Sequence, residues 1–275
     1  MLQTGLYVVA TPIGNLEDIT YRAVRVLTEA DLIAAEDTRH SRVLLSHYNI
    51  TTPMRALHEH NESQIAEYML ERISDGHSVA LISDAGTPLI SDPGYRLVKA
   101  AREAGLPVHV VPGPSAVTAA LSVAGLPPDR FVFEGFLPVR KIARKKKLEE
   151  LSRESRTLVF FESSHRIGDS IQDMTEVLGE DRVVAVCREL TKKFETVMRA
   201  PLSKVNDMLK GDSNQSRGEF VIVVDGYEVG EDEALGLALQ MATALLEYLP
   251  ASQAARIAAK LNKVSRRALY GLLEQ

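Results

Sequence analysis

Short apolar runs punctuate the first half of the chain, at residues 6–10, 32–35, 79–82 and 108–111. None alternates cleanly between apolar and polar positions, as expected of parallel strands covered on both faces. Between the runs, apolar residues repeat at helical spacing over 16–30, 62–74, 95–104 and 115–124. Asn61 is placed to cap the second of these helices, with Gln64 three residues on to complete a capping box. Alternation of strand and helix predicts a parallel sheet with right-handed crossovers. The pattern changes near residues 131–138, where a second α/β unit is expected to begin. It opens on a charged helix, followed by a strand at 157–161, a helix ending at Leu178, an apolar run at 183–187 and a last strand at 220–224. After Gly226 the chain turns acidic (Glu228, Glu231, Asp232, Glu233) and then helical to the end. Helices over 252–261 and 265–273, joined by Asn262-Lys263-Val264 with Ser265 as N-cap, predict a helix-turn-helix. The expected organisation is an N-terminal α/β domain over 1–135, a second over 136–226 and a helical extension over 227–275.

Each of the first four runs leads into a loop of small and polar residues. These are Thr11-Pro12-Ile13-Gly14-Asn15, Glu36-Asp37-Thr38-Arg39, the stretch from Ser83 to Gly94, and Pro112-Gly113-Pro114-Ser115-Ala116. All four should gather at the carboxyl edge of one sheet, where open α/β sheets bind ligands. The third is the most specialised: Ser83-Asp84-Ala85-Gly86-Thr87-Pro88-Leu89-Ile90-Ser91-Asp92-Pro93-Gly94 holds two acids and no lysine. A phosphate cradle of the G-x-x-x-x-G-K type needs the lysine. An acid-bearing loop instead suits hydroxyls, amines or a cationic ligand.

Composition narrows the setting. With 275 residues, 45% of them hydrophobic and 25% charged, the chain is expected to be an ordinary soluble protein of about two domains. No leader is expected, since the first run starts almost at once, and no apolar stretch reaches the roughly 20 residues of a membrane span, so a cytoplasmic location is expected. The single cysteine, Cys187, excludes an internal disulfide or a cysteine-built zinc site, and its apolar run makes it a buried, inert thiol. His58-Glu59-His60 lacks the H-E-x-x-H spacing of a zinc helix, and no metal is expected. A formal charge of −5 does not suggest a nucleic-acid partner, so such a role needs a local basic surface. Arg140, Lys141, Arg144, Lys145, Lys146 and Lys147 supply one, packed into about two helical turns, and are expected to contact an RNA backbone.

Together with Phe161-Glu162-Ser163-Ser164-His165-Arg166 and Arg188-Glu189-Leu190-Thr191-Lys192-Lys193, the four loops resemble the bacterial small-subunit (16S) ribosomal RNA cytidine 2′-O-methyltransferases of the tetrapyrrole methylase superfamily. The resemblance covers essentially the whole chain. It implies two α/β domains of the class III methyltransferase type with a helix-turn-helix extension, and S-adenosylmethionine held in the cleft between the domains. It also implies a homodimer acting on small-subunit ribosomal RNA, free or in the assembled subunit. Two departures from the tetrapyrrole-modifying branch, Thr11-Pro12-Ile13 for a Gly-rich first loop and Asp84-Ala85-Gly86-Thr87-Pro88 for Gly-Asp-Pro, count against a porphyrin-like substrate.

The donor site is expected to use Pro12, Asp84, Gly86, Thr87, Ile90, Ser115 and Ala116, with Phe136 and Leu137 sandwiching adenine. A ribose hydroxyl needs a base or a group favouring its alkoxide. Glu36, Asp37, Arg39, Glu162, His165, Lys193 and Glu195 are candidates, with Asp37 beside Arg39 and Lys193 from the opposite domain preferred. Two alternatives are a methyltransferase of tetrapyrroles or other small molecules, and a nucleic-acid-binding regulator that uses the helix-turn-helix.

Overall fold

The computed structural model describes residues 2–58, 61–211 and 217–273. The first half runs β1 (Gly5–Val9), α1 (Tyr21–Glu29), β2 (Leu32–Ala35), α2 (Thr38–His47), β3 (Met54–Ala56), α3 (Glu62–Ser74), β4 (Ser78–Ile82), α4 (Tyr95–Glu103), β5 (Val108–Val111) and α5 (Ala116–Val123). Its sheet has the order β3-β2-β4-β1-β5, and every pairing is parallel. The apolar runs of the inner strands are buried as their pattern predicts, β2 and β4 at every position, whereas β5 at the sheet edge is only partly covered and exposes Val110.

Three local expectations need correction. The helical spacing over 16–30 is divided into a 3₁₀ turn (Leu16–Asp18) and α1, because the Thr20 hydroxyl accepts from Ala23 N and starts a new helix. The polar stretch after β2 forms α2 and β3, neither of which the pattern announced. Asn61 does not cap α3 with its side chain. Its amide closes the loop from β3 instead, accepting from His58 N and donating to Ala56 O. Glu59 and His60 lie outside the described residues.

The second sheet follows in β6 (Phe131–Phe136), α6 (Lys141–Leu151), β7 (Thr157–Ser163), α7 (Ile167–Leu178), β8 (Val183–Arg188), β9 (Thr196–Pro201), α8 (Leu202–Gly211) and β10 (Glu219–Val224). The order is β6-β7-β10-β8-β9. β6 and β7 run parallel, and the remaining pairs are antiparallel. β9 escaped the sequence pattern because it is a half-exposed edge strand of mixed polarity. β6 belongs to this sheet from Phe131 onward, so a division after 135 cuts through it.

α5 joins the two sheets. Val117, Ala120 and Leu121 of this helix pack with Val159 of β7, Ala185 and Cys187 of β8, and Val221 and Val223 of β10. A helix that follows the first sheet in sequence therefore covers one face of the second. Met1–Gly226 forms one compact unit and Tyr227–Gln275 another. The second unit holds α9 (Glu231–Leu245), α10 (Ala251–Asn262) and α11 (Arg266–Leu273). Its core is mostly alanine, with Leu269, and small side chains let the helices approach closely. Lys263 turns the chain in a left-handed conformation, and the Ser265 hydroxyl accepts from Ala268 N to start α11. Among the described residues, no helix is long and apolar enough to cross a membrane.

Candidate active site

The loop after β4 ties the other three loops together. Thr11 and Gly86 exchange two backbone hydrogen bonds of 2.8 and 3.0 Å, which pins the first loop. Asp84 N donates to Glu36 Oε2 at 3.3 Å, and Asp84 Oδ1 accepts from Asp37 N at 3.1 Å, which pins the second. The Thr87 hydroxyl donates to Pro114 O at 3.1 Å and holds the fourth. Gly86 has φ +79°, and a Cβ there would stand 3.3 Å from Ile13 Cγ2. Leu89 and Ser91 also have positive φ, a costly backbone state that clusters at functional sites. The loop meets the second sheet at a bulge in β6. Gly135 is left-handed there, and a Cβ would come 3.1 Å from Ser91 Oγ. Behind the loop, buried Glu62 of α3 accepts from Gly94 N and Arg96 N with one oxygen and so caps α4.

Between the loops and the second sheet lies a cavity of about 440 Å³, within the roughly 300–1,000 Å³ of small-molecule sites. Asp84, Gly86, Thr87, Ile90, Ser115, Ala116 and Phe136 all line it. Leu137 does not; it is buried in the core on the far face of the second sheet. Neighbouring positions at a strand end point to opposite faces, so Phe136 and Leu137 cannot both face the cavity. Ser115 precedes α5 without a capping bond from its side chain, which leaves amides of the first turn open to an anionic group. Cys187 is 1% exposed, and burial pushes its thiol up to about 12, so it is unreactive.

Five carboxylates line this cavity, and Glu36, Asp84 and Asp92 cluster on the side of the first sheet. Burial, reinforced by the charges of Glu36 and Asp84, raises Asp92 to about 6. Burial likewise raises Glu36, with the neighbouring Asp84 and Asp37 charges adding to it. Burial and neighbouring negative charge thus disfavour ionisation of Glu36 and Asp92, and a cation would offset both. Glu162 also lines the cavity but is bound by Ser163 N, Ser170 Oγ and Arg166, and so braces β7 against α7.

A second cavity of about 260 Å³ adjoins the first and shares Ile13, Asp84, Ala85 and Glu219 with it. Pro12 lines this one rather than the larger. The lysine that reaches in from the second sheet is Lys192, whose Nζ pairs with Glu189 at 2.9 Å and Glu219 at 2.6 Å. Lys193 is exposed, with its Nζ 5.7 Å from the Phe194 ring centre. Sequence cannot tell which of two adjacent lysines turns inward. Asp37 and Arg39 pair with each other but line neither cavity. Asp37 caps α2, and hydrogen bonds from Arg39 hold it down at about 2, too acidic for a base near neutral pH. His165 is exposed, and Glu195 Oε2 accepts from Thr191 N.

The basic run splits by face along α6. Arg144 is 3% exposed and bound to buried Asp173 of α7 at 2.7 Å, so it fastens helix to helix. Lys141 pairs with the same Asp173, Lys145 with Glu176 and Lys147 with Glu134. Arg140 and Lys146 are exposed.

A model of the tetrapyrrole (corrin/porphyrin) methylases matches residues 5–206. The chain belongs to that family. Over 268 residues it is 50% identical to ribosomal RNA small subunit methyltransferase I of Escherichia coli O157:H7, covering 98% of this chain and 94% of the relative. The protein of the same name from Vibrio cholerae is 51% identical over 266 residues, covering 96% and 92%. Among solved structures, a cobalt precorrin-4 methyltransferase superposes with a TM-score of 0.59 at 20% identity, over 80% of this chain and 94% of its own. A diphthine synthase gives 0.60 at 15% identity, over 80% and 89%. At that distance these show the fold alone.

This family member is a methyltransferase that uses S-adenosylmethionine. The larger cavity fits that donor: carboxylates for a cationic sulfonium and ammonium, open amides for a carboxylate, and Ile13, Ile90, Phe136 and Phe161 as apolar walls for a base.

Proposed function

We propose that this protein transfers a methyl group from S-adenosylmethionine to the ribose 2′-hydroxyl of a cytidine in small-subunit ribosomal RNA. Identity near 50% along almost the whole chain to proteins named for small-subunit ribosomal RNA methylation carries this reading. The low-identity neighbours share its fold and do not weigh toward a tetrapyrrole acceptor. The protein acts as a homodimer in the cytoplasm, and sedimentation equilibrium should return twice the chain mass. Its first two folding regions correspond to the two sheets, and the tail is a separate helical extension.

S-adenosylmethionine, when bound, supplies an electrophilic methyl on a positive sulfur. Glu36, Asp84 and Asp92 offset that charge, while the amides at Ser115 and Ala116 hold the carboxylate of the donor. The loop after β4 fixes the donor's direction, since displacement requires the incoming oxygen in line with the bond that breaks. The hydroxyl proton goes to a carboxylate on the boundary of the two cavities. Glu219 already holds the Lys192 ammonium in an ion pair, which leaves Asp84 Oδ for the task. Asp84→Asn should lower kcat by about 10²-fold or more.

Methylation of small-subunit RNA with labelled donor, followed by digestion to nucleosides, tests the assignment. Label should appear in ribose-methylated cytidine, and RNA carrying 2′-deoxycytidine at the site should take none. Label on a base would overturn the 2′-oxygen as acceptor.

A further inference from the structure

The smaller cavity is assembled from five separate pieces of chain: the first loop, α2, the start of the loop after β4, Lys192 beyond β8, and Glu219 of β10. Besides the carboxylates Asp84 and Glu219 at its border with the larger cavity, its walls are of two kinds. Pro12, Val43 and Leu44 are apolar, whereas His40, Ser41 and Lys192 offer hydrogen-bond donors. Ser41 is 3% exposed, and its hydroxyl has no hydrogen-bond partner among the described residues. Native proteins rarely bury a hydroxyl unsatisfied, and this one belongs to the cavity wall.

Gly14 makes room for the lysine. A Cβ at this position would fall 2.5 Å from Lys192 Cγ and 2.7 Å from its Cε, so the loop can close over the lysine stem only without a side chain there. Burial acts to lower the Lys192 pKa, but hydrogen bonds to Glu219 and Glu189 raise it overall, so the group is a fixed cation.

We propose that this second cavity is the acceptor subsite, taking one unstacked nucleoside of the RNA with the Ser41 hydroxyl and His40 ring as its hydrogen-bonding partners and Lys192 toward the sugar-phosphate. The proposal rests on the RNA reading above. At about 260 Å³ the space lies below the roughly 300–1,000 Å³ of sites for whole drug-sized ligands. It suits a single nucleoside whose neighbours stay outside, and a tetrapyrrole macrocycle exceeds it. Sequence-specific RNA recognition works mainly on such splayed-out, single-stranded nucleotides. A ribose seated here meets the donor cavity across Ile13, Asp84 and Ala85, the wall the two spaces share.

The test uses the full-length protein, S-adenosylmethionine and small-subunit RNA from cells lacking the enzyme, with Ser41→Ala, His40→Ala and Gly14→Ala. Each should raise KM for RNA, by roughly two- to tenfold where one hydrogen bond is lost. Donor affinity by calorimetry should stay at the wild-type value. Ser41→Ala should unfold at no lower urea concentration than wild type, because it removes an unsatisfied group. His40 is exposed, so its variant keeps the test open if a buried substitution disturbs folding. An unchanged KM in both Ser41→Ala and His40→Ala, or donor binding weakened in parallel, overturns the acceptor subsite. Failure of the RNA reading is distinct: the wild-type protein itself would then put no label on RNA.

Discussion

Asp92 carries the clearest pH signature at the scale of single residues. Its pKa rises from 3.8 in the unfolded chain to about 6 in the fold, chiefly through burial. Between those values the folded state holds a proton that the unfolded chain has lost. The stability contributed by this group is therefore full below about pH 4 and disappears as pH rises through about 6. Asp92→Asn should remove that slope from urea-unfolding free energies measured between pH 4 and 7. A bound cation would keep Asp92 ionised, so donor affinity should increase with pH through this range, with proton release visible in calorimetry. Affinity that is flat with pH would take Asp92 out of the cation's surroundings. Gly86 gives a complementary test in the same loop. With φ at +79°, Gly86→Val forces a β-branched residue into a left-handed turn and should weaken donor binding while leaving the two sheets folded.

At the scale of elements, two helices separate structural from functional charge. Glu62 reaches from α3 to cap α4 and thereby anchors the end of the ligand loop. Glu62→Ala should cost about 1–2 kcal/mol in urea unfolding, and Glu62→Gln, which keeps an acceptor, should cost less. Along α6 the six basic residues do not act as one patch. Arg144→Gln leaves buried Asp173 with only the longer Lys141 contact of 3.6 Å and should destabilise by up to about 3–5 kcal/mol. Arg140→Gln with Lys146→Gln should leave stability unchanged, lower RNA affinity, and flatten its salt dependence by up to about two counterion units. An unaltered salt slope in that double variant would make this helix face merely solvated.

The whole molecule is two units in one chain, and both cavities of the candidate active site lie entirely within Met1–Gly226. A chain ending at Gly226 should accordingly bind S-adenosylmethionine with wild-type affinity in calorimetry. Loss of donor binding on that truncation would assign the tail a part in the donor site. The tail's α11 spans eight residues, a short surface for groove reading by a recognition helix, which depends on several base-contacting side chains.

Most of the architecture can be read along the chain because its elements are locally determined. Apolar runs without alternation locate the buried parallel strands, and the small-residue loops after them mark the ligand-binding edge. Seven of the nine expected donor residues line the larger cavity, since backbone-rich loops leave few choices of direction. Direction fails to be local wherever neighbours compete. Phe136 and Leu137 are equally apolar, and Lys192 and Lys193 are equally basic. Arg144 looks in sequence like the lysines beside it, yet it faces inward. In each case the decision comes from a partner remote in sequence: Asp173 for Arg144, Glu219 and the gap at Gly14 for Lys192, and the far-side core for Leu137. Likewise α5 completes its own sheet's chain order but buries its face against the other sheet. Periodicity specifies that a face is apolar; the packing of distant elements selects what covers it.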